Sequence, residues 1–97
     1  MKQHEIAAIF ARMADLLEYR GDNPFRIRAY RRAAQNLESF SGDLDRLAAS
    51  DRLTELSGIG SDLAMKIAEY LSTGKVRSYE QLLRSIPAGV FELLEVP

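Results

Sequence analysis

Apolar residues recur at spacings of three and four along this chain and nowhere alternate over the length of a strand, so packed helices are the regular structure it can build. Ile6, Ile9, Phe10, Met13, Leu16 and Leu17 make the first stripe, and Arg20-Gly21 supplies its stop. Asn23 can cap a second helix, with Pro24 in the first position, where a missing N–H is harmless. That helix should reach about Ser39, with Ile27, Tyr30, Ala33, Ala34 and Leu37 inward. After Ser41-Gly42-Asp43 a short helix turns Leu44, Leu47 and Ala48 inward. Asp51 is expected to cap a single turn, Arg52 to Leu56. Ser61 is expected to cap the next helix, with Leu63, Ala64, Ile67, Ala68 and Leu71 inward and a stop at Thr73-Gly74. Ser78 should start another, facing Tyr79, Leu82, Leu83 and Ile86 inward and ending at Pro87. Val90, Leu93 and Leu94 suggest a last short one. The expected fold is all-α: a compact bundle of roughly four to six short helices in one domain over residues 1–97, with a helix-hairpin-helix at about 51–74. The end at Val96-Pro97, without a polar tail, is what a piece of a longer protein would show.

Several chemistries are excluded. The chain has no cysteine, which removes disulfides, thiolate nucleophiles and zinc ribbons and fits a reducing compartment. His4 is the only histidine, so neither a hydrolytic triad nor a His-rich metal site can be assembled. No apolar run is long enough for a membrane span and no signal-peptide core stands at the N-terminus, so a cytoplasmic setting is expected.

A net charge of −1 hides a strong segregation. From Arg20 to Leu37 there are five arginines (Arg20, Arg26, Arg28, Arg31 and Arg32) and one acid, Asp22. From Glu38 to Asp62 there are six acids and two arginines. Four arginines in the seven residues 26–32, with no acid among them, repel one another, and that cost favours a polyanionic partner over a merely solvated face. Arginine also offers a planar fork that pairs phosphate in two places. Arg26, Arg28, Arg31 and Arg32 are therefore candidate phosphate ligands, and Lys75 and Arg77 could extend the track. Tyr30 is a candidate for stacking on a sugar or base, although its spacing also suits the core.

The run Leu56-Ser57-Gly58-Ile59-Gly60-Ser61 places two glycines around one apolar residue, between two helical segments. Glycines allow φ > 0 and leave no side chain in a ligand's way. The amides of Gly58, Gly60 and the following turn, Ser61 included, could then point outward together at the positive end of a helix. Ile59 would plug the gap between the helices, and main-chain oxygens at Leu56 and Ile59 could take a monovalent cation, though no cofactor is required. Such contacts touch backbone phosphate and carry no base information. A plain Gly-x-Gly connector is the alternative, and the apolar Leu56, Ile59, Leu63 and Ala64 around the turn favour the functional reading.

Asn23-Pro24-Phe25-Arg26-Ile27-Arg28-Ala29-Tyr30-Arg31-Arg32-Ala33-Ala34 resembles the second helix of the small N-terminal domain of family X DNA polymerases. The hairpin followed by Lys66-Ile67-Ala68-Glu69-Tyr70-Leu71-Ser72-Thr73-Gly74-Lys75 resembles its helix-hairpin-helix. Ile86 to Pro97 resembles the lead-in to the family's next one. The likeness covers nearly the whole chain and is closest to the bacterial and archaeal branch. It implies a helical module that binds DNA at gapped, nicked or primer-template sites, on the 5′-phosphate side, ahead of the polymerase fingers, palm and thumb. It further implies repair synthesis in the nucleoid, with the rest of the polymerase chain as a partner. None of those catalytic parts lies in these residues, so the resemblance implies no polymerisation by this chain alone.

In some members of that family a lysine on the hairpin helix forms a Schiff base with a 5′-deoxyribose phosphate, and Lys66 matches that position. Here Asp62 precedes Lys66 by one helical turn, and such a pair favours the charged amine by roughly 0.2–0.5 kcal/mol. A nucleophilic lysine needs its neutral form. Thr54, Phe25 and Ser78 stand where the resemblance leads one to expect lysine or histidine. Three functions thus stay open: a DNA-backbone module, a Schiff-base lyase at Lys66, and a helical protein-interaction module.

Overall fold

In a computed structural model of the chain, residues 2–87 are described. Five α-helices and one 3-10 turn follow one another: α1 (Lys2–Tyr19), α2 (Pro24–Ser39), α3 (Leu44–Ala49), the 3-10 turn (Leu53–Glu55), α4 (Ser61–Thr73) and α5 (Arg77–Arg84). Among the described residues there is no strand. The expected last helix at Val90, Leu93 and Leu94 lies outside them.

The long pair α1 and α2 is the scaffold. Its contacts run in opposite order along the two helices: Gln3 donates to the Phe40 carbonyl, Phe10 meets Tyr30, and Asp15 meets Arg31. The two helices are therefore antiparallel. Gly21 allows the reversal: it is left-handed (φ +72°), and the amides of Gly21 and Asp22 bond back to the carbonyls of Glu18 and Leu17. Asn23 then caps α2 by accepting from the Phe25 amide at 2.8 Å, with Pro24 in the first position as the sequence anticipates. The seam is apolar. Ile6, Phe10, Met13, Leu16 and Leu17 face Ile27, Tyr30, Ala33 and Leu37, and each such large side chain contributes about 1.5–3 kcal/mol by leaving water. α4 and α5 close over α1 through Leu63, Ile67, Val76, Leu82 and Ile86.

Local expectations fail in four places. Asp51 does not cap the 3-10 turn; it adopts φ +56° and closes α3, its amide bonding to Ala48 and that of Arg52 to Leu47. Aspartate tolerates that region better than most residues. Ser61 is the first residue of α4, not its cap; Gly60 takes that place with no side-chain hydrogen bond. α5 opens at Arg77 after Val76 rather than at Ser78, whose hydroxyl is buried without a partner. Ala68 is exposed, because only Leu63 and Ile67 of α4 sit deep against α1.

Candidate nucleic-acid interface

The hairpin is a tight turn with a reason for each residue. The Ile59 amide donates to the Leu56 carbonyl at 3.1 Å, and Gly58, third in the turn, has φ +78°. Ser57 is not among the positive-φ residues, so the turn is type II, the form that needs glycine at that place. A side chain on Gly58 would also collide, its Cβ lying 2.7 Å from Asn36 Nδ2 and 3.3 Å from Arg32 Cγ. Ile59 is buried as the plug. Gly60 corrects the expectation: its φ of −84° suits any residue, and a Cβ there would meet nothing within 4 Å. What Gly60 supplies is clearance. Because no side chain caps α4, no side-chain oxygen among the described residues takes the first-turn amides of Ser61, Asp62 and Leu63, and they stand at the positive end of the helix.

The arginines of α2 divide into two kinds. Arg31 is clamped by Asp15 at 3.0 Å and Glu18 at 2.9 Å, both from α1. Arg26 lies 3.6 Å from Asp22, over the ring of Tyr30. The repulsion expected from the local sequence is thus relieved by acids from the preceding helix and loop, and Arg31 in particular serves the α1–α2 seam. Arg28 and Arg32 have no acidic partner among the described residues. Arg28 rests on the ring of Phe25, 4.7 Å away, and the Arg32 stem runs beside Gly58. Together with Ala29, Gln35 and the clamped Arg31 these residues line an open groove in which the cationic helix meets the hairpin.

Tyr30 does not belong to that surface. It is 1% exposed and packs edge-on against Phe10 at 5.6 Å, so it cannot stack on a nucleotide. The exposed aromatic of α2 is Phe25, at 75%, off the buried stripe of its own helix. That offset was visible in the sequence, where Phe25 falls outside the three-four spacing of Ile27, Tyr30 and Leu37.

On the other side of the hairpin a polar pocket is lined by Asp62, Met65, Lys66, Glu69, Arg77, Ser78 and Gln81. Its cations are already paired. Lys66 Nζ lies 2.8 Å from Asp62, and Arg77 Nε donates to Glu69 at 3.0 Å while the Arg77 amide donates to the same carboxylate oxygen at 3.2 Å. The Lys66 side chain is only 14% exposed. Lys75 is exposed just past the left-handed Gly74 and has no acidic partner among the described residues. Glu69, which braces Arg77, could not be found from sequence, since it lies eight positions away, across the break after α4.

The chain is matched over residues 1–86 by a family described as the helix-hairpin-helix domain. Over all of its 97 residues it is 36% identical to the DNA polymerase/3'-5' exonuclease PolX of Bacillus subtilis (strain 168), and it spans 16% of that protein's length.

Proposed function

Since this chain belongs to the helix-hairpin-helix domain family, and its resemblance to family X DNA polymerases extends along its whole length, we propose that it grips the DNA backbone without reading sequence, as one module of a longer polymerase. One observation carries the reading: Arg28 and Arg32, which have no acidic partner among the described residues, share one open groove with Gly58 of the hairpin, and the helix that follows the hairpin starts without a side-chain cap. Main-chain amides and guanidinium groups are both donors to phosphate oxygens and are blind to the bases. Gapped, nicked or primer-template DNA in repair synthesis is the setting this reading favours, with Ser61 and Lys75 at the margins of the track, while Arg77 is held by Glu69.

A monovalent cation at the Leu56 and Ile59 main-chain oxygens fits the same reading. The Leu56 carbonyl keeps a second lone pair beyond the one given to the Ile59 amide. Such an ion would lend positive charge beside a phosphate.

The test is a titration of gapped, nicked and intact duplex at two salt concentrations. Backbone binding requires log K to fall with log salt by about 0.9 per phosphate neutralised. Affinity for DNA that is flat in salt would point instead to an apolar interface for another protein.

The small exposure of Lys66 favours a second reading, in which its amine adds to the aldehyde of a 5′-deoxyribose phosphate and loses water to form a Schiff base. The Asp62 carboxylate opposes it by engaging Nζ in an ion pair at 2.8 Å. Borohydride trapping decides: an adduct that Lys66→Ala abolishes establishes the lyase, and no adduct ends it.

A further inference from the structure

The hairpin and α2 are far apart in sequence, and among the described residues one side-chain hydrogen bond joins them. Nδ2 of Asn36 donates to the Ser57 carbonyl at 2.6 Å. The same nitrogen lies 2.7 Å from where a Cβ on Gly58 would be, so glycine is what lets the amide reach the turn. Apolar packing does not fill the space beside this contact: a recess of about 260 Å³ opens there, lined by Leu37, Phe40, Leu56 and Ile59.

The Ser57–Gly58 peptide is trans, as are the other described ones, so its carbonyl and its N–H point in opposite directions. Drawing the Ser57 carbonyl onto Asn36 therefore turns the Gly58 N–H away from Asn36. This is also the peptide whose reversal separates type II from type I turns, and a glycine in third place tolerates both. Nothing within the turn itself holds the plane.

We propose that Asn36 is a positioning residue for backbone binding: it locks the Ser57–Gly58 peptide plane and so aims the Gly58 amide at a phosphate. The inference rests on the DNA-binding reading above. An amide that is already oriented loses little freedom on binding, whereas one that flips between two orientations must be ordered by the ligand. Asn36 itself touches no DNA in this arrangement.

The experiment uses the 97-residue chain, Asn36→Leu, which removes the donor at similar volume and unchanged charge, and Asn36→Ala as a second variant should leucine disturb the fold. Each is titrated with duplex at several salt concentrations, while the Gly58 amide resonance is followed by NMR. Losing the lock should weaken binding by roughly three- to tenfold, the range a single hydrogen bond spans. The salt slope should fall by about 0.9, one phosphate fewer. The Gly58 resonance should shift with DNA in the parent and stay unmoved in the variants. A merely structural role would lower the melting temperature and leave the slope and that resonance's response intact. Parent-like affinity, slope and Gly58 shift in a folded variant overturns the assignment of Asn36 and spares DNA binding. A parent chain that binds no duplex at any salt overturns both.

Discussion

Two surfaces flank the hairpin, both rich in cations, and they are built in opposite ways. On the α2 side Arg28 and Arg32 face solvent without acidic partners among the described residues, one resting on Phe25 and the other lying along Gly58. On the α4–α5 side Lys66 and Arg77 are each held within 3.0 Å of a carboxylate, Asp62 and Glu69. A count of basic residues would rank the two alike. A phosphate arriving at the first surface displaces only water, whereas at the second it must compete with a carboxylate already in place and be repelled by it. The difference teaches that the cations open to an arriving anion are those the packed helices leave without an internal partner, which a count along the chain does not reveal.

The largest effect should come from emptying the first surface. Arg28→Ala with Arg32→Ala should weaken duplex binding by roughly thirtyfold near 0.1 M salt, about 1 kcal/mol for each contact, and lower the salt slope by nearly two. Both side chains are exposed, so the melting temperature should barely move. If that variant bound as the parent does, the comparison would collapse.

The second surface can be opened in turn. Asp62→Asn frees Lys66 and removes a repulsive charge at the start of α4. Duplex affinity should then rise by roughly two- to fivefold at low salt, with a steeper slope. Unchanged affinity would mean that DNA does not approach this side.

Arg31 tests the division within α2 itself. Because its guanidinium is shared between Asp15 and Glu18, Arg31→Ala should lower stability in chemical denaturation by up to about 1 kcal/mol, with less than a twofold change in DNA affinity. A loss of affinity as large as that of the Arg28 and Arg32 pair would return Arg31 to the phosphate track.

The smallest effect is a pH dependence away from both surfaces. Burial, then the hydrogen bond to Glu5, raises the Tyr70 phenol above its ordinary 10.0. A group whose pKa is raised by folding stabilises fully below the unfolded value and loses that contribution as pH climbs through the folded one. The tie between α1 and α4 should therefore weaken only in strongly alkaline solution. Thermal melts of Tyr70→Phe against the parent should diverge below about pH 10 and converge above it. Divergence confined to acid would contradict the assignment.

Much of this was legible in the chain. The three-four spacing placed the large core residues of α1 and α2, although Ile9 is only partly buried and the buried Ala7 and Ala14 were not expected, and Asn23-Pro24, Gly21 and Gly74 marked helix ends where they are found. These signals are local: a periodic apolar face, a side-chain cap or a left-handed residue acts within a few positions of itself. The failures are local signals with two solutions. Asp51 could cap a turn or end a helix, and Ser61 could precede α4 or begin it.

The sequence by itself thus determined an all-helical chain with a glycine turn and a cluster of arginines ahead of it. Which arginines stay free, that Tyr30 lies inside while Phe25 stands out, and that Asn36 reaches Ser57 were decided by tertiary structure alone. The physical reason is range. Helix period and turn geometry are settled between near neighbours, whereas neutralising or releasing a charge depends on whatever side chain folding brings within about 4 Å, from anywhere along the chain.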